Sequence, residues 1–152
     1  MHLTQAVTLA PQFSDNAAAI ARSNVLIQGM KAPCIVDGVI LEAAVECPKG
    51  FLLFVTDDVP FEETLNIHLL DAKGQLLDTA RLGAAYTTGN FIDLALGEGH
   101  TLSFSFFGEK TWTVELLPQP GFRLPYLSEP AGVHRPLSFS RYFVVKGYPK
   151  PS

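Results

Sequence analysis

Thr101-Leu102-Ser103-Phe104-Ser105-Phe106-Phe107-Gly108-Glu109-Lys110-Thr111-Trp112-Thr113-Val114-Glu115-Leu116-Leu117 decides the fold class. On both sides of Gly108-Glu109-Lys110, large apolar residues alternate with Thr, Ser and Glu. That period of two marks half-buried strands rather than helix. Folding the stretch about those turn residues sets Phe106 opposite Trp112, Phe104 opposite Val114 and Leu102 opposite Leu116. A slip of one residue would mix the apolar and polar faces, so the face assignment is strongly specified.

Working upstream, Phe91–Leu96 joins this hairpin through Gly97-Glu98-Gly99, and the three runs read as an antiparallel meander. The same punctuation continues back to Cys34. Phe51–Thr56, Thr64–Leu70 and Gln75–Leu82 are separate runs, the last two flanking the turn Asp71-Ala72-Lys73-Gly74. Asp37-Gly38, between Cys34–Val36 and Val39–Leu41, is a strong two-residue hairpin signal. Asn24–Gln28 and Leu3–Leu9 complete the strand set, with Gly29 to Pro33 as a break. Only Ser14–Arg22 suits a helix, since Ser14 or Asp15 can cap it, three alanines favour it and Arg22 suits its C-terminal end.

These runs predict an all-β chain, a two-layer antiparallel β-sandwich of roughly eight to ten strands with one short N-terminal helix. A closed β-barrel is the alternative. Residues 1–152 are expected to form one domain. Beyond Leu117 the prolines at 118, 120, 125, 130 and 136 predict a segment over 118–139 that wraps across the body, ahead of a last strand at about 140–147.

Charged residues make up 17% of the chain and apolar ones 47%, against about 25% charged in a typical soluble domain. Either the sheets are covered on both faces, or apolar surface is buried against another subunit or a ligand. Self-association is the expectation. Residues 119–152 carry five cations against Glu129 alone, a net of +4; residues 1–118 carry six cations against fourteen carboxylates, a net of −8. The basic tail is expected to lie along its own acidic body. The overall pI of about 5.5 argues against nucleic acid as a partner. The longest apolar run, Phe51–Val55, falls far short of the ~20 residues that span a bilayer. With no basic leader at the N-terminus, a cytoplasmic protein without a membrane partner is expected. Cys34 and Cys47 read as reduced thiols.

No motif for nucleotide, metal or nucleophile chemistry stands out, and no cofactor is expected. His68 and Asp78 lie on the two arms of the Asp71–Gly74 turn, where a cross-strand pair would let a carboxylate hold an imidazole proton. Asp57, Asp58, Glu62 and Glu63 gather four carboxylates in one loop, a weak calcium candidate, although Pro60 and Phe61 interrupt the spacing. Phe107 falls on the polar face, so it meets a loop or a partner. Phe122, Tyr126, Arg135 and Arg141 mix aromatics with cations and join Phe107 as binding or interface candidates. The functional expectation is a non-enzymatic binding or assembly protein acting through surface contacts, as a homo-oligomer or with another protein. A small-molecule-binding sandwich or barrel for an apolar or carbohydrate-like ligand is the alternative. An enzyme whose site leaves no motif is the third reading.

Overall fold

The structure, a computed structural model, describes residues 1–12, 21–59, 61–83, 88–122, 130–136 and 140–150. Its strands run in the order β1 (His2–Leu3), β2 (Val7–Gln12), β3 (Arg22–Ile27), β4 (Met30–Asp37), β5 (Ile40–Cys47), β6 (Gly50–Thr56) and β7 (Leu65–Asp71). Then follow β8 (Leu76–Leu82), β9 (Ile92–Leu96), β10 (Thr101–Ser105), β11 (Lys110–Phe122), β12 (Val133–His134) and β13 (Ser140–Pro149). No helix occurs among the described residues. Most of the helix expected over Ser14–Arg22 lies outside them, and Arg22, placed at its end, instead opens β3.

All pairings are antiparallel and make three open sheets, so no barrel closes among the described residues. A six-stranded sheet has the order β1-β5-β6-β7-β8-β12, a four-stranded sheet β13-β11-β10-β9, and a three-stranded sheet β2-β3-β4. The six-stranded sheet is the middle layer. Alternation along β6 sends Leu52 and Phe54 into one cluster with Leu102, Phe104, Trp112, Val114, Phe143 and Val145 of the four-stranded sheet. Phe51, Leu53 and Val55 go the other way, into a cluster with Val7, Val25, Ala32 and Val36 of the three-stranded sheet. Every residue of β6 is consequently buried. The expected pair of layers is extended by a third, because the five-residue apolar run has two faces to cover. This intramolecular burial accounts for the low charge content.

Two local expectations change. Asp37-Gly38 is not a hairpin: β4 and β5 belong to different sheets, and the dipeptide carries the chain between layers. The Gly38 amide donates to Ala21 O at 2.8 Å, and the Val39 amide to Thr56 O at 2.9 Å. In the β10–β11 hairpin, Phe104 faces Trp112 and Leu102 faces Val114. The register is displaced by two residues, so the faces survive while the partners change. Phe106 and Phe107 join the turn, where the Trp112 indole donates to Phe107 O at 3.2 Å. Pro118 and Pro120, expected in an irregular connection, lie within β11, where the pairing with β13 is irregular between Leu116 and Gly121.

Candidate functional site

His68 sits opposite Thr79 on β8, and Asp78 sits opposite Leu69. Period two then sends the His68 and Asp78 side chains to opposite faces of the middle sheet, so the expected cross-strand pair does not form. Both are buried rather than displayed. His68 Nε2 lies 3.0 Å from Asp37 O and Nδ1 2.7 Å from Thr79 Oγ1. A carbonyl can only accept, so Nε2–H donates to it, and Nδ1 accepts from the Thr79 hydroxyl. Burial pushes the imidazole below its ordinary range, only partly offset by Asp37, and the ring is neutral.

A His with a depressed folded value binds its proton more readily in the unfolded chain. Its contribution to stability is therefore present above about pH 6.5 and lost as pH falls through that value toward the folded one. His68→Gln should flatten this part of the profile, read as urea midpoints compared with the parent across the acid range. A difference between the two proteins that does not change with pH would refute the assignment. Asp57 acts in the opposite sense: burial, the largest influence, raises its carboxyl against Asn66 and Arg81. Its contribution is present at acid pH and lost as pH rises through the folded value, which is why the parent-minus-variant difference is the quantity to follow.

Thr79, His68 and Asp37 O form a hydroxyl–imidazole–carbonyl relay of the kind that activates a nucleophile. It borders a 210 Å³ cleft lined also by Asn66, Arg81, His134 and Arg135. The donors that would hold an oxyanion there are engaged elsewhere. Asn66 Nδ2 serves Val55 O and Asp57, Arg81 pairs with Asp57 at 3.0 Å, and Arg135 pairs with Asp78 at 2.6 Å. The arrangement ties these polar groups to one another within the fold.

The acidic loop is likewise turned to internal use. Glu63 accepts from the amides of Asp57 (2.8 Å), Val59 (3.2 Å) and Thr64 (3.2 Å). Asp57 is held by Arg81 and Asn66. Asp58 and Glu62 remain exposed. Among the described residues, no three His, Cys, Asp or Glu side chains gather as a metal-ligand set.

Of the interface candidates, Phe107 is half-buried, its ring 5.1 Å from that of Trp112 and pressed against Gly132. It meets a loop, one of the two surroundings expected for it. Arg135 is buried against Asp78 and lies 4.5 Å over the Phe143 ring, and Arg141 is buried with a 2.8 Å bond to Pro136 O. Neither displays its charge to a partner. Phe122 pairs with Ser140 through its backbone, and Tyr126 lies outside the described residues.

What the structure brings together instead is a pocket of about 310 Å³ between the middle and four-stranded sheets, at one end of both. Leu69, Leu116, Leu117, Pro118 and Pro48 give it apolar walls, joined by Cys47, Lys49, His100 and Tyr142. Lys49 Nζ stands 5.7 Å from the Tyr142 ring centroid. His100 occupies the left-handed region at φ 61°, and its carbonyl accepts from the Leu116 amide at 2.9 Å, which fixes the turn against β11. The lining holds two groups able to carry positive charge and no carboxylate. A larger hollow of 450 Å³, between the outer edges of β5 and β9, is an open trough lined by Glu42 and Asp93 among others.

No protein-family model, curated protein or solved structure matches this chain.

The site therefore stands on its geometry. Sequence reasoning missed the pocket because its residues come from five separated stretches of the chain, at 47–49, 69, 100, 116–118 and 142. The signal available was Pro48-Lys49-Gly50, a turn bearing a lone cation between two apolar strands.

Proposed function

We propose that this chain is a non-enzymatic binding protein of the β-sandwich kind, and that its binding site is the pocket formed by Cys47, Lys49, His100, Leu117 and Tyr142 with their neighbours. The observation that carries this reading is the pairing of apolar walls with Lys49 and His100 in a lining free of carboxylates. Such a site selects an apolar group that carries an adjacent anion: the walls supply affinity by burial, and the Lys49 ammonium with the His100 ring as a hydrogen-bond donor fixes orientation. Its volume lies at the lower end of the roughly 300–1,000 Å³ typical of small-ligand pockets. The occupant is accordingly small, a short-chain or single-ring carboxylate or sulfonate, or a side chain of comparable size. The polar networks support a binding reading over an enzymatic one, since their donors are engaged within the fold.

Calorimetric titration with alkyl carboxylates of increasing length tests this. Saturable one-to-one binding is expected, strengthening with chain length until the pocket is full, with the negative heat-capacity change of apolar burial. Leu117→Asp, which places a carboxylate in a half-buried wall, should abolish it. Binding that does not saturate, or that survives Leu117→Asp, would refute the pocket as the site.

A further inference from the structure

We infer that the pocket receives the Phe61 side chain of a second copy of this chain, in a head-to-tail contact. The inference rests on the pocket reading above and names its occupant. Phe61 is 88% exposed, the most exposed large apolar side chain among the described residues, and Val59 beside it is 47% exposed. The described residues to either side of it are hydrogen-bonded into the fold. The Glu63 carboxylate ties together the amides of Asp57, Val59 and Thr64, and the Glu62 amide donates to Val59 O at 3.2 Å. Arg81 and Asn66 anchor Asp57 at the base of the loop. An apolar knob held in place before contact loses less freedom on association than a floppy one.

The charges are complementary. Asp58 and Glu62 are exposed to either side of Phe61, and the pocket presents Lys49 and His100 without a carboxylate. An apolar group with adjacent anions is the chemistry the pocket selects, and the chain carries one itself.

Geometry decides between copies. β6 begins at Gly50, next to the Pro48-Lys49 wall of the pocket, and ends at Thr56, where the loop starts. At about 3.3 Å per residue, knob and pocket stand roughly 20 Å apart at opposite ends of the strand. A chain cannot fill its own pocket. The contact joins two different surfaces, so a pair retains one unused knob on one subunit and one unused pocket on the other, and assembly continues until a ring closes or a filament grows.

Sedimentation velocity over a concentration series, on the full chain and two variants, tests this. The parent protein is expected to form species above monomer. Phe61→Asp and Leu117→Asp should each lose them while keeping the parent's circular dichroism. Mixing the two variants should restore a dimer and nothing larger, because one intact knob then meets one intact pocket. A parent that stays monomeric throughout, or a Phe61→Asp variant that assembles like the parent, overturns the inference. Calorimetric titration of benzenesulfonate, a single-ring sulfonate, into Phe61→Asp separates the two readings. Saturable binding lost in Phe61→Asp/Leu117→Asp, alongside a monomeric parent, leaves the pocket standing and removes only its occupant. Absence of both binding and assembly removes both.

Discussion

Asp78→Ala is expected to lower the free energy of unfolding by about 3–5 kcal/mol, the range for stripping one partner from a buried ion pair. Asp78 lies in the middle sheet, and its carboxylate joins the residue after β12 to β13 of the four-stranded sheet: Oδ2 accepts from Arg135 at 2.6 Å and from the Tyr142 amide at 2.8 Å. Oδ1 takes the Thr79 amide at 2.9 Å. The Asp78 and Arg135 side chains are only 5% and 2% exposed, so water cannot replace the lost carboxylate. The guanidinium would remain over Phe143 without this carboxylate, and the β13 amide of Tyr142 would lose its acceptor. Asp78→Asn keeps the shape and part of the bonding, and should cost less. Asp78→Leu/Arg135→Leu should recover much of the loss, because burying two charges carries its own desolvation penalty. Denaturant midpoints of the four proteins check this, and a double variant no more stable than Asp78→Ala would show that the pair is needed for more than charge balance.

Gly50→Ala is expected to cost more than about 2 kcal/mol, beyond the ordinary penalty for a left-handed or extended-positive backbone. Gly50 has φ 152°, and a Cβ there would fall 2.3 Å from Leu70 O, 2.4 Å from Asp71 C and 2.8 Å from Ala72 N. All three are backbone atoms of the adjacent hairpin, which cannot swing aside as a side-chain tip can. Gly29→Ala is the control. Its φ is 80° and nothing lies within 4 Å of the added carbon, so it should show the conformational penalty alone, about 1 kcal/mol. The difference in thermal midpoint between the two variants measures the steric contribution. Because Gly50 follows Lys49 directly, any accommodation of the methyl group also shifts a pocket wall. Weakened carboxylate binding in Gly50→Ala, with binding unchanged in Gly29→Ala, is the accompanying result.

The all-β class was legible because period two is a local property, visible in Thr101–Ser105 and Thr111–Glu115 without knowledge of their neighbours. Register was less so: alternation assigns Phe104 and Trp112 to one face whether they pair directly or two residues apart, and only the turn chooses. The Asp37-Gly38 reading failed for a related reason. Turn chemistry reports that the chain reverses or bends, not whether the next strand pairs with the last one or departs to another layer. The third layer did leave a trace, since Phe51-Leu52-Leu53-Phe54-Val55 has no polar alternation and a strand apolar on both sides needs two covers. The candidate site was nearly illegible. Lys49, His100 and Tyr142 are each unremarkable in sequence, and converge because three separate turns and strand ends meet where two sheets part. His68 and Asp78 were singled out as a cross-strand pair, but a difference of one position in pairing sent them to opposite faces.

The stacking of the sheets also orders the birth of the fold. β2–β4 are synthesised before β5–β8, as a three-stranded layer whose apolar face has nothing to cover until those strands follow. β9–β11 and β13 come after them, closing over the other face. The two apolar clusters share no residue, so the outer layers can dock on the middle meander as separate cooperative units. The amides of β6 then belong to the slowest-exchanging class, since they are released only when both units have come away.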